Sequence, residues 1–329
     1  MASSVLRKIL KTLNPSVLAS TGRGFSAAVA TGNVEPESGS FTFSSDDPVQ
    51  SKPVANSEKD DMVYIKGSKT ASSSSSVTMP MSFMTGSIIG KKFYKKVTTR
   101  EADDGIGWNV MLDYRTLKTP SKRNLRCYNL ALAQAIAAEW EFQESDGIRP
   151  FTMPLMKLAC TALERVPVTR SQIIEHLMRK FHDDLVFYRA PRDNDISRDL
   201  RELQVKKFTP LLKWVESEFG FRPVVFSSLF GVKQEEGLVK AIESLLKKTG
   251  DFELAGIDAI AAAAHSLTIA IGLFKGQLSI EQAIELIRLE EDSQIGRWGL
   301  VEGGHDIDIA DLRVQISSAV VFLGLSKKH

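Results

Sequence analysis

The stretch SIEQAIELIRLEEDSQIGRWG, Ser279–Gly299, carries its own start and stop signals. Ser279 followed by Gln282 has the form of a capping box, and Gly299 is a natural helix stop. Between them Ile280, Ile284, Ile287, Ile295 and Trp298 recur at helical steps, so they share one face. Glu291 falls on that face, between Ile287 and Ile295. A carboxylate there loses hydration on folding and needs compensation. Two sources are open: an internal network, with an Arg from a neighbouring helix, or a partner chain that meets an incompletely covered stripe. Glu290 and Asp292 fall on adjacent faces and read as solvated charges.

Outward from this helix the signal stays helical over most of the chain. Tyr128 to Phe142 places Leu130, Ala133, Ala137 and Trp140 together, and Pro154 opens a helix through Leu158, Ala162 and Val166. Thr169 with Gln172 repeats the capping-box form and starts a helix through Ile173, Leu177 and Phe181. After a short β-like run at Asp183–Tyr188, helices are expected over Arg198–Phe219, kinked at Pro210, then Glu235–Lys248, Glu253–Phe274 and Ile307–Leu323. Trp140, Trp214 and Trp298 each end an apolar stripe, where core packing is the default; one found at an edge would suit a protein-binding surface.

Upstream the pattern changes to strands. Phe93–Arg100, Trp108–Leu112 and Leu117–Pro120 are separated by the turn-rich Glu101–Gly107 and Asp113–Thr116, which makes a small antiparallel meander. The expected fold is an α+β N-terminal domain with a small antiparallel sheet, residues 91–150, followed by a larger all-α helical domain, residues 151–329.

Residues 1–34 hold Arg7, Lys8, Lys11 and Arg23, no acidic residue, and an apolar helical side of Val5, Leu6, Ile9, Leu10 and Leu13. This is the make-up of an organelle transit peptide, with Arg23-Gly24-Phe25-Ser26 resembling a mitochondrial processing site; a plastid address is the competing reading. Residues 35–90 are Ser-rich, include the run Ser72–Ser76, and read as a disordered linker. Removing the four leader cations takes the formal net charge from +2 to −2, a poor balance for nucleic-acid binding. Ala255–Phe274 is the most apolar later segment, but Asp258 and His265 make it a core helix rather than a membrane span. Cys127 and Cys160 are too few for a disulfide framework and read as buried thiols.

Enzyme signatures are scarce. The chain has no Ser in a nucleophile-elbow setting, no Cys–His arrangement and no Gly-rich phosphate loop, so neither cofactor nor small-molecule substrate is expected. The alternative is a metal-dependent phosphohydrolase built on His182-Asp183 and His305-Asp306, with His176 and Asp308 nearby. Turn and helix-end roles are the favoured account of those dipeptides, since so few histidines are present.

Several separated motifs, Phe93-Tyr94-Lys95, Leu112-Asp113 through Leu117-Lys118-Thr119-Pro120, Ala137-Ala138-Glu139-Trp140 with Gln143, Met153-Pro154-Leu155, and Glu291 with Gln294 and Trp298-Gly299, occur in an order that resembles the mitochondrial ATP synthase assembly factor 2 family. The resemblance covers about Lys91 to Gly324. It implies the same two-part fold and a non-enzymatic chaperone of the mitochondrial matrix, which binds the free alpha subunit of ATP synthase before the catalytic head assembles. The family's acidic position maps onto Glu291, with Glu290 a neighbour in the same role. Where the family's hairpin has Gly after Asp113, this chain has Tyr114, which puts the turn type in question.

Overall fold

The computed structural model describes residues 75–193, 195–228 and 232–327. The leader read over residues 1–34 and the linker up to residue 74 lie outside the described residues.

Chain order begins earlier than Lys91. Strand β1 (Ser76–Thr78) and the short helix α1 (Ser82–Thr85) come from the end of the segment read as linker, and Met79, Phe83 and Ile89 are buried core residues. Composition hid them, because a three-residue strand in a Ser-rich run gains its order from its partner rather than from its own propensity. Strands β2 (Val97–Glu101), β3 (Trp108–Leu112), β4 (Arg115–Lys118) and β5 (Arg126–Cys127) complete a sheet ordered β1-β4-β3-β2, with β5 paired to β3. The expected meander is the antiparallel part of it. The β1–β4 pair is parallel, so the sheet is mixed.

The β3–β4 turn is the two residues Asp113 and Tyr114, since Leu112 pairs with Arg115. The positive backbone angle falls on Asp113 (φ 56°), which spares Tyr114 the strain that its bulk would bring. Asp113 Oδ1 accepts from the Lys95 and Lys96 amides at 3.0 and 2.9 Å, tying the turn to the start of β2.

Helix α2 (Leu130–Glu141), capped by Asn129, covers the sheet. Its Trp140 is fully buried, stacked on Phe83 at 6.2 Å and edge-on to Tyr94 at 5.8 Å. A long helical run follows: α3 (Pro154–Cys160), one wider π-type turn at Thr161–Arg165, and α4 (Val166–Phe181). Pro167 has no N–H to give the Leu163 carbonyl, and Arg123 Nη1 donates to that carbonyl at 2.7 Å instead. The helix start expected at Thr169 is a kink inside this run, with Thr169 at φ −117°; its hydroxyl donates back to the Arg165 carbonyl rather than capping.

Beyond a 3-10 turn at Leu185–Phe187, which leaves of the expected β-like run a single parallel bridge from Tyr188 to Phe226, lie α5 (Asp195–Phe219), α6 (Glu236–Lys248), α7 (Asp251–Ala264), α8 (Leu267–Phe274), α9 (Ile280–Trp298) and α10 (His305–Leu325). The single helix expected over Glu253–Phe274 is two. His265 turns left-handed (φ 52°) and Ser266 caps α8, while the buried Asp184 accepts from the Thr268 amide and hydroxyl at 2.8 Å each. No described helix is long and apolar enough to cross a membrane. Cys127 and Cys160 are buried and unpaired by disulfide.

One contiguous core runs through both halves. Helices α7 and α10 cross closely at Gly256, where a Cβ would stand 2.6 Å from Leu323 Cδ2. Gly256→Ala is therefore expected to lower stability by about 1–3 kcal/mol through overpacking, read from the denaturant midpoint. A chain beginning at Lys91 loses β1 and the side chains of Met79, Phe83 and Ile89; it should unfold at least about 3 kcal/mol more easily than one beginning at Ser75.

Candidate functional site

The α9 capping box forms as its spacing dictates: the Gln282 amide donates to Ser279 Oγ at 3.2 Å, and the Ser279 amide to Gln282 Oε1 at 2.9 Å. The helix ends at Gly299, whose φ of 88° suits a residue without a side chain. The apolar stripe is covered only along its first half. Burial on α9 ends at Leu289, Ile287 and Ile295 are half-buried, and Trp298 is 58 % exposed, against its default as a core residue. Apolar cover from the neighbouring helices ends with the first three turns, a limit that the helix's own periodicity does not carry.

The carboxylates separate differently from their reading on a helical wheel. Glu291 is held by Arg288 of its own helix, Nη1 to Oε2 at 2.9 Å, while Arg288 Nη2 reaches Asp292 at 2.8 Å. Arg288 is 3 % exposed, so two carboxylates offset one buried guanidinium. Glu290, read as a solvated charge, is the more desolvated carboxylate. Its Oε1 accepts from Gln204 Nε2 of α5 at 2.8 Å, and Gln204, fully buried, accepts in turn from the Ala190 amide at 2.7 Å. Burial pushes the Glu290 carboxyl up to about 7, against the lowering effect of the Gln204 hydrogen bond and with a further rise from the Glu291 charge. Asp292 is exposed.

These groups open into a cleft of about 340 Å³ between α9 and α10, with the end of α7 at Ala262–His265 as its floor. Glu290, Glu291 and Gln294 line it from α9, and Asp308 and Asp311 from α10. Trp298 and Gly299 lie outside the cleft, at the turn that follows. Ion pairs fix the frame: Arg297 with Asp199 of α5, Lys207 of α5 with Glu285, and a two-pronged Arg313–Glu281 bridge to α10 at 2.8 and 3.0 Å. Sequence reasoning missed Arg288, although its spacing of three and four residues before Glu291 and Asp292 is a readable helical pair. Gln204, Asp308 and Asp311 carried no local signal.

His182 and His305 of the metal alternative are engaged by backbone amides. His182 Nδ1 accepts from the Gln234 amide at 3.1 Å, and His305 Nδ1 from the Val301 amide at 3.2 Å, while Asp183 and Asp306 face solvent. Among the described residues no group of three or more His, Cys, Asp or Glu side chains could hold a metal ion.

A second carboxylate is also displaced from its usual range. Glu139 of α2 accepts from the Leu155 and Met156 amides at 2.7 and 2.8 Å, so it caps α3, whose own Met153 provides no side-chain cap. Burial pushes its carboxyl up to about 7, although both amides act to lower it. Gln143 completes the joint, donating to the Glu139 carbonyl and Thr152 Oγ1 and accepting from the Arg149 amide.

Residues 91–216 match a protein family described as ATP12 chaperone protein. The chain is 25% identical over 239 residues to a protein of Schizosaccharomyces pombe named Protein atp12, mitochondrial, covering 70% of this chain and 81% of the relative. It is 22% identical over 271 residues to Protein ATP12, mitochondrial, of Saccharomyces cerevisiae, covering 70% and 83%. The crystal structure of Atp12 from Paracoccus denitrificans superposes with a TM-score of 0.65 at 26% identity, over 72% of this chain and 99% of that one. Over residues 91–216 the chain thus carries the match to the ATP12 chaperone family, and the likeness in fold to a solved Atp12 extends over 72% of the chain.

Burial raises four carboxyls, Glu139, Asp184, Asp258 and Glu290, and all four push the pH dependence in one direction. Glu290 and Glu139 bind their protons more tightly when folded (about 7) than when unfolded (4.5), so their contribution is full below pH 4.5 and is lost as pH rises through 7. Glu290→Gln keeps the acceptor for Gln204 and removes the charge. Its thermal midpoint should move in the variant's favour by about 2–4 °C relative to wild type between pH ~5 and pH ~8; parallel curves would show that Glu290 titrates at its ordinary value.

Proposed function

We propose that this chain is an ATP12-family chaperone that acts in the mitochondrial matrix, binds the free alpha subunit of ATP synthase and keeps it from aggregating until the catalytic head assembles. The observation that carries the reading is the family match, which extends in three dimensions over 99% of the Paracoccus Atp12 chain. Curated relatives named as mitochondrial supply the compartment, and the matrix is where a catalytic head would be put together. The role is physical rather than chemical. A subunit awaiting its partners exposes apolar interface, and covering that surface reversibly requires no bond to be made or broken.

Glu291 is the proposed client-facing carboxylate, with Glu290 beside it and Gln294, Trp298 and Gly299 as its setting. Its pairing with Arg288 is compatible with that role. A half-buried carboxylate already oriented by an intrahelical guanidinium pays little further entropy to meet a cation on a client. Because Asp292 also holds Arg288, changing Glu291 leaves the buried cation paired.

The test is co-expression of the full chain with the alpha subunit, scoring soluble alpha and co-elution on sizing. Glu291→Lys should weaken capture by about tenfold, or ~1.4 kcal/mol, while Glu291→Gln should melt within about 1 kcal/mol of wild type. Alpha that aggregates equally with and without the wild-type chain would sink the reading. A Glu291→Gln variant that no longer folds would make this carboxylate structural.

A further inference from the structure

The turn between α9 and α10 exposes a set of large apolar side chains in one place: Trp298 at 58 %, Leu300 at 50 %, Val301 at 61 % and Ile307 at 61 %. The turn is built rather than loose. Gly299 and Gly303 take left-handed angles of 88° and 74°, and the Val301 amide and carbonyl both engage His305, through Nδ1 and the backbone amide. The exposed side chains are thus held in place by a folded backbone.

Along the patch's own segment the charge has one sign. From Trp298 to Leu312 the chain carries Glu302, Asp306, Asp308 and Asp311, and neither Lys nor Arg. The cations that bound this segment in sequence, and the one that lines the cleft, are committed: Arg297 to Asp199, Arg313 to Glu281 and Arg288 to Glu291 and Asp292. The acidic field continues into the cleft, where Asp308 and Asp311 face Glu290 and Glu291. Gln294, which lines the cleft, stands one turn before Trp298 on α9, so apolar turn and acidic cleft form one continuous surface.

We propose that this surface, Trp298, Leu300, Val301 and Ile307 with the cleft carboxylates behind them, docks an apolar segment of the client flanked by Lys or Arg. The proposal rests on the alpha-subunit reading and names the surface and the client chemistry that it needs. Apolar contact supplies affinity and the single-sign rim selects cationic flanks, repelling acidic segments of similar hydrophobicity. Glu291 is one member of the cleft. The larger share of the contact falls to the turn, which the family's acidic position does not include.

The experiment uses the full chain co-expressed with the alpha subunit, with melting curves for every variant. Trp298→Ser combined with Val301→Ser, and separately Asp308→Lys combined with Asp311→Lys, should each cut soluble, co-eluting alpha about tenfold with an unchanged melting point. Leu300→Ser replaces the first pair if that variant fails to fold. Phe142→Ser, at the most exposed large apolar side chain of the sheet half (84 %), should leave capture intact. Wild-type capture with undiminished capture by both double variants overturns the surface and leaves the alpha-subunit reading standing. Aggregation of alpha beside the wild-type chain removes that reading and this one together. A chain that is dimeric by itself and becomes monomeric with Trp298→Ser and Val301→Ser would assign the face to a second copy and overturn the proposal.

Discussion

A carboxylate lent by one helix to another joins the two halves of this protein. Helix α3 begins with Pro154, and its next two amides, at Leu155 and Met156, have no cap within their own segment. Glu139 of α2 supplies it, while the residue that follows it, Trp140, anchors the sheet's core against Phe83 and Tyr94. Sheet cover and helical run are thus positioned from adjacent residues of one helix. The cost is a desolvated carboxylate, and the two amides offset it because they point where charge would otherwise be unpaired. The motifs Ala137-Ala138-Glu139-Trp140, Gln143 and Met153-Pro154-Leu155, scattered in sequence, are the parts of this one joint.

What was legible in the sequence was what is decided locally. The bounds of α9 follow from a capping box and a glycine, and those signals need no tertiary partner to operate. Elements decided by distant partners were hidden. Three residues of β1 make a strand only beside β4, and the break between α7 and α8 depends on Asp184 receiving the Thr268 amide from 84 residues away in sequence. The same division explains the site. A helical wheel places Glu291 on the apolar face correctly, but desolvation is set by what covers the helix. Cover from α5 falls on Glu290 through Gln204, while Glu291 turns back to Arg288 of its own helix.

The two ends of α9 serve different purposes. Its first half is core, with Ala283, Ile284, Leu286 and Leu289 buried; its second half carries paired charges and then an exposed Trp298. Paired charges along the transition keep the buried Arg288 satisfied without closing the cleft. The last of these pairs, Arg297 with Asp199, ties the exposed end of the helix to α5, which favours presentation of a surface over adaptation to one.

The parallel pairing of β1 with β4 fixes an order of events. Ser76 pairs with Thr116, so the first of the described strands finds its neighbour only about forty residues later. A chain delivered from its N-terminus leaves the first strand waiting with unsatisfied amides and carbonyls until the β3–β4 hairpin has formed. Closure of that edge then reports that the hairpin is in place, and the buried Phe83, just behind β1, seats against Trp140 only once α2 has followed. Among the described residues this strand is thus the first to emerge and among the last to find its place.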